Sequence, residues 1–291
     1  MSILPPHPLT YRASLEAFLK EDWGAGDWTA NAMPDRPMSA RVIAKAGLVI
    51  AGLPIAREVF HLTDASLEIE TLANDGDRVA AGSEVMRIHG PCRSILMAER
   101  VMLNLLQRLS GTATLTKLFV EAVAGTGARI LDTRKTTPGL KILEKYAVRC
   151  GGGFNHRVNL ADGILIKENH IAAAGGIAPA VASARASSPN LLRIEVEVER
   201  LDQLAECLTL PDIDGALLDN MDDETMKTSV DMRNSSGRRF FLEASGNLAL
   251  SRAKAVAKTG VDFLSIGALT HSATAADLSL LFLNQNRKAQ F

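Results

Sequence analysis

The sequence predicts an α/β protein whose larger part is a parallel α/β barrel, and three observations carry that reading. From about residue 112, short β-rich apolar runs alternate with helical stretches, the texture of right-handed βαβ units around a parallel sheet. No crossover carries GxGxxG or GxxxxGK[ST], which lowers a doubly wound nucleotide-binding fold and raises the barrel. Strand after strand also runs into a polar or glycine end, where parallel barrels keep their binding groups.

The elements follow in order. Residues 11–21 read as a short helix, GDWTANAMP as a loop, and residues 38–46 and 66–72 as short strands. NDGDRVAAGSEVMRIHGP has turn residues at both ends and apolar alternation between, a small β-element with tight turns. Residues 93–109 form a strong helix, with Leu96, Met97, Val101, Leu103, Leu105 and Leu106 on its apolar sides, and Ser110 and Gly111 are expected to close it. The strands of the second texture are ARILDT, GILIKEN, LLRIEVEV, IDGALLDN, RRFFLEAS and VDFLSIGAL. Helices are expected at residues 175–186, 201–208, 222–230 and 248–258. The division is an N-terminal domain at 1–111, a barrel at 112–274 and a C-terminal segment at 275–291. The polar tail NQNRKAQF is expected to fray.

Bulk properties exclude several classes. The chain has 291 residues, 47% hydrophobic and 22% charged, as a soluble globular protein does. A net charge of −1 and 4% aromatics argue against nucleic acid and membrane as partners. Cys92, Cys150 and Cys207 lie far apart, imply neither disulfides nor zinc, and suit a reducing cytoplasm. The N-terminus lacks a basic-then-apolar leader pattern, and no apolar run approaches the length of a membrane span.

The strand ends narrow the chemistry. ARIL delivers Asp132, Thr133, Arg134 and Lys135. GILI delivers Lys167, Glu168, Asn169 and His170. GALL ends in Asp219 and Asn220, FFLEA in Ser245 and Gly246, and FLSI in Gly267. In IEVEV the period of two sends Val196 and Val198 outward and aims Glu195 and Glu197 into the barrel, where bare carboxylates need cations, a metal or hydrogen bonds. Lys141 and Lys145, four apart on a helix, read as a solvated face. GGGFNHR, residues 151–157, combines glycines that allow close backbone approach with His156 and Arg157, and looks like an anion cradle. His61 and His89 read as structural. The residues alone therefore indicate a barrel enzyme for a highly anionic, phosphorylated ligand, with Glu197 and Asp219 placed to hold Mg²⁺ or sugar hydroxyls.

The run DTRKTTPGLKILEKYAV, followed by GGGFNHRVNLADGILIKENH, resembles the signature of the quinolinate phosphoribosyltransferases, also called carboxylating nicotinate-nucleotide pyrophosphorylases. AERVMLNLLQRLSGTAT, IEVEV, LLDNM, EASGN, TGVDFLSIGALTHS and EDWGAGDWT match further blocks of that family in order, over nearly the whole chain. Two tryptophans in EDWGAGDWT stand where the family has aliphatics.

The resemblance implies an incomplete TIM-like α/β barrel with an N-terminal open α/β sandwich. It implies a homodimer, or a higher assembly, in which one subunit closes the other's barrel and lends Arg100. It also implies transfer of phosphoribose from phosphoribosyl pyrophosphate to quinolinate, with Mg²⁺ as cofactor and loss of CO2, in NAD synthesis. By the same resemblance Thr133, Arg134, His156, Arg157 and Lys167 meet quinolinate or neighbouring phosphate. Lys135 faces the pyrophosphate. Glu197 and Asp219 meet ribose hydroxyls and Mg²⁺. Ser245, Gly246, Asn247, Ile266, Gly267 and Ala268 hold the 5-phosphate, with His271 closing that loop. Lys135, Lys167, Glu197 and Asp219 form the implied catalytic set. The rival readings are the molybdenum-associated, ModD-type paralogue, a Schiff-base aldolase using Lys167, and a non-catalytic anion-binding protein.

Overall fold

A computed structural model describes residues 3–283; the polar tail, residues 284–291, lies outside the described residues. The chain forms two compact units. One holds the described residues of Met1–Lys117 and Ser272–Phe291 together with Thr137–Gly152; the other holds Leu118–Thr136 and Gly153–His271.

The first unit contains α1 (Arg12–Trp23), α2 (Trp28–Asn31), β1 (Pro37–Ala44), β2 (Leu48–Val49), α3 (Leu53–Thr63), β3 (Glu68–Thr71), β4 (Arg78–Val79) and β5 (Glu84–Pro91). The long helix α4 (Cys92–Ala122) follows and runs on past the unit's edge. Strands β1, β5 and β3 form an antiparallel sheet that the C-terminal strand Leu278–Phe282 completes on the outer edge of β1. Apolar side chains of α1, α3, α4 and the sheet share one core, with Phe60, Met86, Ile88, Ile95, Met102, Leu106 and Leu109 fully buried. Burying each such side chain contributes about 1.5–3 kcal/mol.

Three local features depart from expectation. GDWTANAMP is not all loop: Asp27 caps α2 by accepting from the Ala30 N–H at 2.8 Å. Helix α3, unmarked in the sequence reading, starts after Gly52 with a proline in its first turn, and the Asp75 carboxylate accepts from Gly52 N and Leu53 N. Helix α4 does not stop at Ser110 and Gly111. The hydroxyls of Thr114 and Thr116 bond the carbonyls four residues back, so the polar SGTAT stretch stays helical. A Cβ on Gly111 would stand 2.1 Å from the Thr274 carbonyl oxygen, so the glycine serves close packing.

After α4 come β6 (Arg129–Leu131) and α5 (Lys141–Cys150), the latter in the first unit. Lys145 on α5 is 3% exposed, which corrects the expected solvated face: that side of the helix is interior. Gly151 also works differently from a ligand cradle. Its missing Cβ leaves room for Ala113 and Thr116 of α4, both 2.5 Å from where that atom would stand.

The second unit continues with β7 (Ile164–Ile166), α6 (Glu168–Ala174), α7 (Ile177–Ser187), β8 (Ile194–Val198), α8 (Leu201–Thr209), β9 (Gly215–Asp219), α9 (Asp223–Ser235), β10 (Phe241–Ser245), α10 (Leu250–Lys258), β11 (Phe263–Ser265) and α11 (Ala268–His271); the strand Leu278–Phe282 is β12. Six parallel strands run in the order β6-β11-β10-β9-β8-β7. Residues from the ends of all six strands, or just beyond them, line one cavity, so the sheet is curled. Its edges β6 and β7 are not paired with each other among the described residues, which leaves the barrel incomplete. At the lower end Gly215 has no side chain because the Phe241 ring fills the space where a Cβ would stand.

Candidate active site

The cavity at the C-terminal strand ends has a volume of about 530 Å³. Parallel strands present their loops at this end, and the in-register pairs Glu197 with Leu217 and Asp219 with Ser245 put alternate residues of neighbouring strands on the inner face. Thr133, Arg134, Lys135, His156, Arg157, Lys167, Glu197, Asp219, Ser245, Gly246 and Asn247 all line it, as the sequence predicts. Arg100 belongs to α4 of the first unit and is not among its lining residues. Ile266, Gly267 and Ala268 do not line it either, though a Cβ on Gly267 would lie 3.3 Å from the Lys135 side chain and 3.0 Å from His271 Nε2.

Local hydrogen bonds explain why the strand ends turn as they do. Thr133 Oγ1 accepts from Lys135 N at 3.0 Å, which breaks β6 into a turn. The Lys135 carbonyl accepts from Thr270 Oγ1 on α11 at 2.7 Å. Asp132, fully buried, accepts from Asn155 Nδ2 at 2.6 Å and from His156 N at 2.9 Å, and so moors the residues that carry the next two basic groups. Lys167 caps α6, and His170 Nδ1 accepts from its N–H, so His170 is occupied with the turn.

Charge is distributed unevenly. Lys167 Nζ is salt-bridged to Glu197, and His156 Nε2 lies 3.3 Å from Glu195 Oε2. Glu197 thus has the cation that an inward glutamate requires, and Glu195 has the His156 ring as its neighbour. Arg157 donates to the Gly163 carbonyl at 2.9 Å, but its buried Nε has no hydrogen-bond partner. Burial, and then the charge of Arg134, push the Arg157 guanidinium below its ordinary pKa. Two guanidinium groups that repel inside a cavity, one with a donor unused, form a preorganised site for a carboxylate or phosphate.

The opposite wall carries the acids and the tight loop. Asp219 accepts from Asn220 Nδ2 at 2.8 Å. Asn220 and Asn247 both adopt the left-handed backbone, with φ of 54° and 46°. Gly246, at φ 96°, is a necessary glycine, because a Cβ there would sit 2.2 Å from Asn220 Oδ1. This strained turn precedes α10 and places Ser245, Gly246 and Asn247 on the cavity lining.

Sequence reasoning missed Glu243, which also lines the cavity. The alternation applied to IEVEV would have found it: in FLEAS, Glu243 and Ser245 share a face. Burial pushes the carboxyls of both Glu195 and Glu243 far up, to about 8.

Fold and site together define an α/β-barrel protein whose strand-end cavity gathers paired arginines, two lysines and acidic side chains, a set suited to a polyanion. The chain belongs to the quinolinate phosphoribosyltransferase family. The N-terminal domain of quinolinate phosphoribosyl transferase matches residues 27–110, and its C-terminal domain matches residues 112–281. The chain is 43% identical over 281 residues, 96% of its length and 95% of the relative's, to the "Probable nicotinate-nucleotide pyrophosphorylase [carboxylating]" of Synechocystis sp.. It is 41% identical to the chloroplastic carboxylating nicotinate-nucleotide pyrophosphorylase of Arabidopsis thaliana, covering 96% of this chain and 85% of that one. The solved nicotinate-nucleotide pyrophosphorylase from Francisella tularensis superposes with a TM-score of 0.92 at 40% identity, covering 97% of this chain and 99% of that one.

Proposed function

We infer that this chain transfers phosphoribose from 5-phosphoribosyl 1-pyrophosphate to quinolinate and releases one carboxylate as CO2, giving nicotinate mononucleotide and pyrophosphate in NAD synthesis. The observation that carries the reading is the Arg134–Arg157 pair with its unused buried donor, inside a cavity that also holds Lys135 and Lys167. A dicarboxylate needs such a set, and a monocarboxylate does not.

In this reading Arg134, His156, Arg157 and Lys167 hold the two carboxylates, supported by Thr133. Lys135 lies on the pyrophosphate side. The backbone of Ser245, Gly246 and Asn247, with Ile266, Gly267 and Ala268 and His271 beside them, receives the 5-phosphate. Glu197 and Asp219 end neighbouring strands and offer hard carboxylate oxygens, a donor set that fits Mg²⁺ shared with substrate oxygens. When bound, Mg²⁺ supplies positive charge that stabilises the departing pyrophosphate. The same two carboxylates face the ribose hydroxyls and the positive charge that builds at the anomeric carbon. The pyridine nitrogen is a sufficient nucleophile, so the chain's task at this step is orientation and charge stabilisation.

Quinolinate carboxylate competes with Glu197 for Lys167, so substrate binding replaces one ion pair by another. That pairing also weakens a Schiff-base role for Lys167, since Glu197 already holds the Nζ that would have to attack a carbonyl. The working assembly is a cytoplasmic homodimer, with Arg100 of a second copy completing each site.

Purified protein given quinolinate, phosphoribosyl pyrophosphate and Mg²⁺ is expected to release nicotinate mononucleotide and CO2 in equal amounts, with turnover lost on chelation. Arg134→Ala is expected to lower kcat/KM for quinolinate about 100-fold or more, the loss of a charge-assisted contact. Full activity of that variant removes the cavity assignment.

A further inference from the structure

Behind the substrate cavity lies a second one of about 280 Å³. Its lining includes Ile164, Arg193 and the strand-opening residues Phe241 and Phe263, so it sits toward the N-terminal end of the barrel, at the unpaired seam between β6 and β7. Arg193 and Asp162 on its rim are exposed, which connects it to water. The two cavities have His156, Arg157 and Glu243 in common, so these side chains divide them, and Glu243 is the carboxyl that lines both. Its side chain is 2% exposed, and its Oε1 has no hydrogen-bond partner.

We propose that Glu243 is the general acid that protonates the ring carbon vacated by CO2, and that it is recharged from the rear cavity. The proposal rests on the decarboxylating transfer inferred above. In that reaction the pyridine nitrogen forms its bond to the ribose anomeric carbon as the bond to pyrophosphate oxygen breaks. The bond between ring C2 and its carboxylate then breaks; CO2 leaves, and the electron pair stays on C2. The Glu243 O–H bond breaks, its proton goes to C2, and a carboxylate remains. One solvent proton from the rear cavity restores the acid, so each turnover consumes one proton and no redox partner.

The alternatives at the site fit less well. Lys167 is held in an ion pair by Glu197 and lines only the substrate cavity, away from the rear one. Glu195 lines only the rear cavity. Glu243 faces Glu195 from β8, Asp132 beyond β6, the His156 ring with Nε2 at 3.6 Å, and the Ser265 hydroxyl on β11. Burial first, and then the neighbouring acids Glu195 and Asp132, keep the proton on Glu243, while His156 and Ser265 oppose them, and the balance leaves the acid protonated at neutral pH.

The test is the single-turnover rate constant from rapid quench, followed from pH 6 to 9.5. The wild type is expected to lose rate as pH rises through about 8. Glu243→Gln, with its fold checked by thermal melting, is expected to lower the rate constant about 100-fold, the usual worth of a general acid. It should leave the quinolinate KM within about threefold and abolish the alkaline limb. A wild-type rate flat to pH 9.5 overturns the proposal whatever the variant does. So does a Glu243→Gln rate within about threefold of wild type, or a slowed variant that keeps the limb. If the wild type itself forms no nicotinate mononucleotide, the functional reading fails and takes this proposal with it.

Discussion

A carboxyl buried as deeply as Glu243 changes stability as well as chemistry. In the folded chain it keeps its proton up to about 8, while in the unfolded chain it ionises near 4.5. Between those values the folded state holds the extra proton, so the contribution is full below the lower value and is lost as pH climbs to the upper one. Glu243→Gln keeps the neutral shape and cannot ionise. Its unfolding free energy should therefore match that of wild type near pH 4.5 and exceed it by pH 8.5, by on the order of a few kcal/mol. A constant difference across that range would show that Glu243 does not titrate in the folded protein. Asp132 works in the other direction, as an anchor. Removing it in Asp132→Ala leaves His156 N and Asn155 Nδ2 without their acceptor, and should cost about 2–4 kcal/mol in denaturant unfolding together with most of the activity. Strand alternation marks Glu197 and Glu243 in the sequence. Nothing marks Asp132 as a mooring point, because its partners lie 23 and 24 residues away and the link exists only in the fold.

Among the elements, helix α4 shows where local reading stops. Its apolar stripe over residues 93–109 is plain, but the SGTAT stretch mimics a helix end and continues only because hydroxyl groups and close neighbours satisfy it. The same hidden contact sets Gly151, which lets α5 approach α4. Gly151→Ala should destabilise the protein by about 1–3 kcal/mol in denaturant unfolding, with no change in substrate KM at temperatures where it is folded. Arg108 joins α4 to α5 through Glu144 at 2.8 Å and to the Ala273 carbonyl at 3.0 Å. Arg108→Ala takes the guanidinium from the fully buried Glu144, which keeps the Thr137 N–H and hydroxyl as donors, and should cost about 3 kcal/mol by the same measure. The parallel strands themselves were legible, because buried β-rich runs with polar ends require only a period and a direction. The helix Leu53–Thr63 was not, since a proline in its first turn looks like a break when read without the Asp75 cap 22 residues away.

At the scale of the whole molecule, the cavity gathers paired arginines, lysines and acidic side chains, while Arg100 stands on the first unit. If Arg100 acts from a second copy, mixing inactive Arg100→Ala and Arg134→Ala preparations should restore about a quarter of wild-type activity, from random pairing of two-fold dimers. No recovery on mixing would place each site within one chain. Among the described residues no helix is long and apolar enough to cross a membrane. The central claim is that the paired arginines and Lys167 demand two carboxylates, and one comparison tests it most directly. The purified protein is given phosphoribosyl pyrophosphate and Mg²⁺ with either quinolinate or nicotinate, and nicotinate mononucleotide is followed in both. Product from quinolinate with one CO2 each, and none from nicotinate, is the predicted result; equal use of nicotinate would contradict it.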